Sequence, residues 1–455
     1  MGIPVELLYL VLLLVIIVVF FMFLKRPIYE AMFIGFLVMV FVLKQQDNLL
    51  AYLIEPSTNS LFYAIVAFLS LAYIFSATPA VDYVLDFIVA LVGRFRGGAG
   101  WVSLISSTFM AALSGSGPGN VAADGVFTIP AMIKSGFPRA LAATTEMAAS
   151  SLGPIIPPSG TILLAYGALD ALMPGQYQFS SFWLAVWGVG IWFILQRTIT
   201  LYGFIRYYKV QPIPKDEIPS IKDTVKKGWQ ALLIPVIILM PFVLDFLLKD
   251  TFFTNRLGVE GANALSNSVI LFTPGISAIY TLYICRHDIE GGIGLNNLVK
   301  FFRGGVQTIV PVAATVYFAY ALSGLFNDVN IGTNIGIWFS SFNLSGWQVA
   351  IIFPLFTTFL GMFIPGTSQI AIFGGALITG LIAAGVHPLL AAAILPAITG
   401  ALEGMTPPLA LAMYTAMGIA QSGMKETSIS ALSWVFAHLI TAILILMGIL
   451  PVLFI

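Results

Sequence analysis

The chain carries one passage twice, 250 residues apart. Phe137-Pro138 and Pro157-Pro158 of the first copy stand opposite His387-Pro388 and Pro407-Pro408 of the second. Thr108-Phe109 with Thr358-Phe359, and Ala142-Ala143 with Ala392-Ala393, keep the same offset. Each copy also interrupts an apolar run: Ser114-Gly115-Ser116-Gly117-Pro118-Gly119-Asn120 in one, Ile364-Pro365-Gly366-Thr367 in the other. Hydrophobic segments broken by Gly and Pro at corresponding places in two halves point to a binding site where the halves meet within a membrane.

Composition points to lipid by a separate route. The residues are 59% hydrophobic and only 9% charged, whereas soluble domains carry about a quarter charged residues. With 20 basic and 20 acidic residues, the net charge gives no footprint for nucleic acid. A single cysteine, Cys285, excludes a disulfide framework, and three scattered histidines make no metal cluster. There is no P-loop pattern, so the chain does not itself hydrolyse nucleotide. Residues 7–24 lack a basic segment ahead of them and read as a retained helix rather than a signal peptide.

A hydrocarbon core asks for roughly 20 apolar residues per crossing helix. Ten spans are expected, at 7–24, 28–43, 60–77, 139–170, 182–207, 229–248, 267–285, 304–326, 388–420 and 428–453. Two further stretches, 100–133 and 348–385, are broken near their middles and read as re-entrant hairpins. Segments 80–92 and 335–343 are too short to cross and read as connecting arms. Lys and Arg favour cytoplasmic loops. That rule puts Lys25-Arg26, Arg94, Arg96, Lys134, Arg139, the linker 208–228 and Lys425 inside, with both termini extracytoplasmic and Lys44, Lys249 and Arg256 as exceptions. The two hairpins then open from opposite faces, as inverted repeats. Domain boundaries follow: 1–98 and 182–345 as outer helices with their arms, 99–181 and 346–427 as the two hairpin and broken-helix halves, and 428–455 as a final helix.

Backbone unwound inside lipid survives only when buried in protein or lining a cavity. Gly115 to Gly119 and Gly153 to Pro158 cannot lie in regular helix. Their freed carbonyls, with the hydroxyls of Ser114 and Ser116, make a cluster of hard oxygens suited to Na+. Gly361, Pro365, Gly366, Thr367 and Ser368, facing Thr406, Pro407 and Pro408, repeat the pattern and imply a second cation site. The positive amino-terminal ends of the resumed half-helices suit a carboxylate. Ser114, Gly117, Asn120, Ser159, Gly366, Thr367 and Pro408 are the residues expected around such a substrate. Intramembrane ionisable residues are functional candidates. Glu403 is expected to be linked to the cation or protonatable, Asp170 to cap a helix at the outer surface, and Glu146 and Arg197 either to pair with each other or to meet substrate. An intramembrane enzyme using Glu146 or Glu403 is the rival from another class, but no nucleophile or metal set accompanies them.

The run SGSGPGNVAADGVFTIPAMIKSGFPRALAA, with SSLGPIIPPSG, GRFRGG and Thr406-Pro407-Pro408, resembles the large membrane subunit of tripartite ATP-independent periplasmic (TRAP) transporters along essentially the whole chain. That resemblance implies an all-α polytopic elevator-type carrier in the inner membrane, with a scaffold and a mobile transport domain carrying both hairpins. Sodium would drive uptake of a small organic anion delivered by an extracytoplasmic binding protein, and a small four-helix membrane subunit would flank the scaffold as a separate chain. Carried over by motif, the first sodium site would use Ser114 and Ser116 with backbone from Gly153 to Pro157. The second would use backbone near Gly361 and Gly366 with Thr406. Glu403 departs from the family pattern, which keeps proton coupling open. A stand-alone dicarboxylate or citrate carrier without a binding protein is the alternative.

Overall fold

The computed structural model describes residues 4–115, 117–289, 292–342, 344–453 and 455. Among them the regular structure is helical, with no strand. The first half runs α1 (Val5–Val18), α2 (Ile28–Val42), α3 (Leu49–Thr58), α4 (Ser60–Ser76), α5 (Ala80–Val92), α6 (Gly98–Ser114), α7 (Gly117–Lys134), α8 (Arg139–Ser150), α9 (Gly160–Leu172) and α10 (Phe179–Tyr207). The connecting stretch holds the short α11 (Ile221–Gly228), then α12 (Ile234–Leu248) and α13 (Thr254–Ile284). The second half follows with α14 (Leu295–Asp328), α15 (Ile331–Ser340), α16 (Gly346–Gly361), α17 (Gly366–Ala383), α18 (Pro388–Ala393), α19 (Leu395–Ile398), α20 (Gly400–Glu403), α21 (Leu411–Ala420) and α22 (Met424–Leu446).

Six of these segments are long and apolar enough to cross a membrane, or seven if the bent pair Gln46–Thr58 and Ser60–Ser76, angled at 52°, is one span. Three of the expected crossings contain only shorter apolar helices: 28–43 is α2, 139–170 ends in α9, and 388–420 is divided into Pro388–Glu403 and α21. The repeat is visible element by element. A long helix and a short arm, α4 with α5 and α14 with α15, precede a helical hairpin, α6–α7 and α16–α17, and then a broken helix, α8–α9 and α18–α21. The sequence reading did not anticipate α3, and α13 begins at Thr254 rather than near 267.

Local chemistry sets these boundaries. Pro138 and Pro388 stand at the starts of α8 and α18, where a missing N–H costs nothing. Ser345 and Gln348 form a reciprocal cap on α16, Gln348 accepting from the Ser345 N–H at 2.8 Å. Helices in lipid associate through small residues that let backbones approach. The Ala-, Ser- and Thr-rich α8 is accordingly buried at every position from Leu141 to Ser150, and α18 to α20 are nearly as enclosed. The broken helices therefore occupy the centre. Around them, α1, α13 and α22 turn Leu8, Ile279 and Phe436 outward, more than half exposed, as lipid-facing surfaces would be.

Candidate functional site

Each hairpin tip lies on the break of its own broken helix. In the first half the Gly153 backbone packs against α6 so closely that a Cβ there would fall 2.6 Å from the Ala111 carbonyl oxygen. A Cβ on Gly115, at the tip, would fall 3.2 Å from Ser159 Oγ. In the second half the Leu409 N–H donates to the Met362 carbonyl at 3.1 Å, and the Gly366 N–H donates to the Glu403 carboxylate. A side chain on Gly366 would collide with the Gly400 backbone.

The two halves also touch each other. A Cβ on Gly400 would meet Pro154 at 3.0 Å and Thr161 at 3.5 Å, and one on Gly117 would sit 3.8 Å from Ala412 and 3.7 Å from the Ser150 carbonyl. Helix α7 packs on α21, and α9 on α17. Two tips and two breaks thus form one assembly, packed at Gly153 and Gly366 too closely for a side chain.

Within it the first break presents backbone oxygens. Among the described residues, no hydrogen bond reaches the carbonyls from Gly153 to Pro158. The Pro157 and Pro158 side chains line an apolar crevice of about 420 Å³ with Trp101, Phe109 and Trp187, so only the backbone of Pro157 is available to a cation. Ser159 caps α9, accepting from the Thr161 N–H at 3.2 Å. Asn120 donates to Ser150 Oγ at 2.8 Å. Ser116 and the side chain of Ser114 lie outside the described residues.

In the second half, Thr406 Oγ1 donates to the Leu402 carbonyl at 2.9 Å, which leaves its lone pairs free to coordinate. Ser368 Oγ is buried and has no partner among the described residues. Thr367 is half-buried at the start of α17, and Pro408 is exposed, its carbonyl accepting from Tyr414 at 2.9 Å. Gly361 lies against Glu403 and Gln369. Sequence reasoning missed Gln369, whose amide donates to the Thr357 carbonyl at 3.0 Å and accepts from the Gly361 N–H at 3.2 Å in the orientation that satisfies both. Those bonds tie the two arms of the hairpin together.

Glu146 and Arg197 do not pair with each other. Glu146 takes hydroxyl protons from Ser103 and Ser107 at 2.7 Å, Thr128 at 2.6 Å and Ser150 at 2.8 Å. Arg197, fully buried on α10, donates to the Ala148 carbonyl at 3.0 Å, to Ser151 Oγ at 3.0 Å, to Gln196 and to His438 Nδ1 at 2.9 Å. His438 Nε2 lies 2.8 Å from the Ala397 carbonyl, which can only accept. Its proton is therefore on Nε2, and the ring is neutral. Arg197 and His438 in series reach carbonyls in the last turns of α8 and α19, the Ala148 carbonyl accepting from Ser151 Oγ at 2.6 Å as well. His438, which the sequence presents as a lone residue on an apolar span, is half of that brace. Asp170 does not cap a helix start; it accepts from the Gly175 N–H at 3.1 Å and closes the turn after α9.

A polar cleft of about 810 Å³ lies between α9 and the helices α3, α4, α13 and α14, lined by Glu55, Asn59, Asp170, Lys249, Asn267 and Asn327 among others. It opens beside the end of α9 that carries Asp170.

The profile of the tripartite ATP-independent periplasmic transporter DctM component matches residues 7–453. This chain belongs to the DctM family. It is 26% identical over 438 residues to the C4-dicarboxylate TRAP transporter large permease DctM of Vibrio cholerae, covering 89% of this chain and 88% of that one. Identity to the Pseudomonas aeruginosa protein of the same name is 24%, over 86% of this chain and 85% of that one. The isethionate TRAP permease DctMQ of Oleidesulfovibrio alaskensis is 24% identical over 74% of this chain and 49% of that longer protein. In fold, the DctM-family chain is similar to the Alcanivorax borkumensis YdaH transporter, with a TM-score of 0.60 at 17% identity over 88% of this chain and 87% of that one. The likeness to Neisseria gonorrhoeae MtrF has a TM-score of 0.63 at 14% identity over 90% and 85%. Family membership makes the chain a membrane transport subunit.

Proposed function

We propose that this subunit imports a small organic anion of the carboxylate type across the inner membrane, coupled to sodium, with substrate handed over by an extracytoplasmic binding protein and a small membrane subunit alongside the outer helices. The observation that carries the reading is the meeting of two closely packed hairpin tips with two unwound breaks, the first of which leaves the carbonyls from Gly153 to Pro158 without a hydrogen bond among the described residues. One sodium ion is held by backbone from Gly153 to Pro157 with Ser114 and Ser116. A second is held near Gly361 and Gly366 with Thr406, and Glu403, fixed on the Gly366 N–H, places a carboxylate beside it. The anion binds between the tips, against Ser114, Gly117, Asn120, Ser159, Gly366, Thr367 and Pro408. The α6–α9 and α16–α21 elements move together as an elevator against the outer helices, with both termini on the extracytoplasmic side. Relatives named for C4-dicarboxylates and for isethionate support an anionic substrate.

The reading is tested by the sodium titration of uptake. Ser116→Ala and Thr406→Ala each remove one hydroxyl ligand, and each is expected to raise the sodium concentration for half-maximal uptake several-fold. A titration that superimposes on the wild type in both variants removes these side chains from the sites.

A further inference from the structure

Asp124 of the first hairpin and Glu146 of the broken helix beside it are not used by either sodium site, and their hydrogen bonds need one more proton than their neighbours supply. Ser107 Oγ lies 2.7 Å from Asp124 Oδ2 and 2.7 Å from Glu146 Oε1. A serine hydroxyl has one proton, so it can donate to one carboxyl only, and the other contact needs a proton from the acid. Ser106 lies 2.6 Å from Asp124 Oδ2 and gives it a proton, since the Val102 carbonyl 2.8 Å away already accepts within α6; the deficit is the one at Ser107. The hydroxyls of Ser103, Thr128 and Ser150 are already committed to Glu146. The other oxygen of the Asp124 carboxyl, Oδ1, is buried without a donor among the described residues. Such an oxygen is far less costly in a neutral acid than in a carboxylate.

Among the described residues no cation offsets the two acids. On the same helices, Lys134 faces Glu217 at 3.7 Å and Arg139 donates to the Ala420 carbonyl. From α10, Arg197 is taken up by Ala148, Ser151, Gln196 and His438, and Arg206 is exposed. From α22, Lys425 and Glu426 are exposed and His438 is bonded at both nitrogens. From α5, Asp82 is exposed and Asp86 meets Lys227 at 3.6 Å. Neither α4 nor α21 has a charged residue.

We propose that Asp124 and Glu146 form a binding site for a single proton, shared through Ser107, which halves the charge that α7 and α8 carry inside the membrane. The site lies outside the proposed sodium ligands and does not depend on which solute is moved. It is a hydron site built from two carboxyls and a relay of hydroxyls, on elements that pack directly against the hairpin tip.

Infrared difference spectroscopy of the purified full-length chain, which needs no substrate and no transport, tests this. The wild type minus Asp124→Asn and the wild type minus Glu146→Gln are each expected to show the carbonyl stretch of one neutral carboxylic acid, shifted in deuterated water. Ser107→Ala, which leaves both acids in place, is expected to shift that band and guards against loss of fold in the other variants. Absence of a neutral-acid band from both difference spectra overturns the proposal. So does loss of one bound sodium-22 ion in Asp124→Asn without that band, which would make the cluster a sodium site. Failure of the sodium titration above would leave the infrared result untouched, so the two readings fall separately.

Discussion

Arg197 is buried without a carboxylate partner among the described residues, and Ser151 Oγ and His438 Nδ1 accept from it, while the Ala148 carbonyl also accepts from Ser151 at 2.6 Å. Orphaning each buried polar partner costs about 1–3 kcal/mol, so Arg197→Met is expected to destabilise the protein by roughly 2–5 kcal/mol. His438→Gln keeps a donor and an acceptor and is expected to cost less than half as much. Thermal unfolding in detergent checks both, and equal midpoints for wild type and Arg197→Met would contradict the brace. At this scale the sequence revealed which residues matter and hid their partners. Asp124, Glu146, Arg197 and Glu403 stand out because an ionisable group in lipid is rare. That Glu146 faces hydroxyls on three helices while Arg197 reaches α22 depends on packing between residues up to 241 positions apart, which no local pattern encodes.

The breaks were the most legible elements, since Gly153 to Pro158 and Pro365-Gly366 violate helix chemistry wherever they occur. Their close approach turns that into a prediction. In Gly153→Ala the new Cβ would press on the Ala111 carbonyl oxygen at 2.6 Å, and displacing a hairpin tip costs about 1–3 kcal/mol of overpacking. Uptake is expected to fall at least tenfold while helix content by circular dichroism stays unchanged. Gly418→Ala, where a Cβ meets open space, is expected to behave as wild type; normal uptake by Gly153→Ala would show that the tip can sit elsewhere. What stayed hidden among the elements has physical causes. Helix α3 contains Pro56 and only ten residues, too little apolar run to register as a span. The turn between Ile398 and Gly400, where Thr399 has φ −110° and ψ −74°, divides α19 from α20 without a proline at the turn to mark it.

Across the whole molecule, the repeat of 250 residues reappears as the same succession of long helix, arm, hairpin and broken helix. It was readable because two copies of one passage fold alike. The contact of α7 with α21 and of α9 with α17, which joins the copies, was not, since it arises between the halves. From the charge pattern, Lys134 and Lys425 are expected on the cytoplasmic side. After replacement of each by cysteine, with Cys285→Ala as background, a membrane-impermeant maleimide is expected to label them only in inside-out vesicles; labelling from the outside of intact cells would overturn the orientation. The central claim is coupled import, and uptake by proteoliposomes under separately imposed sodium and proton gradients, with the binding protein and small subunit supplied, tests it most directly. An inward sodium gradient is expected to concentrate a carboxylate inside unchanged, and only when the binding protein is present. Accumulation that ignores the sodium gradient, or that proceeds equally without the binding protein, would contradict the account.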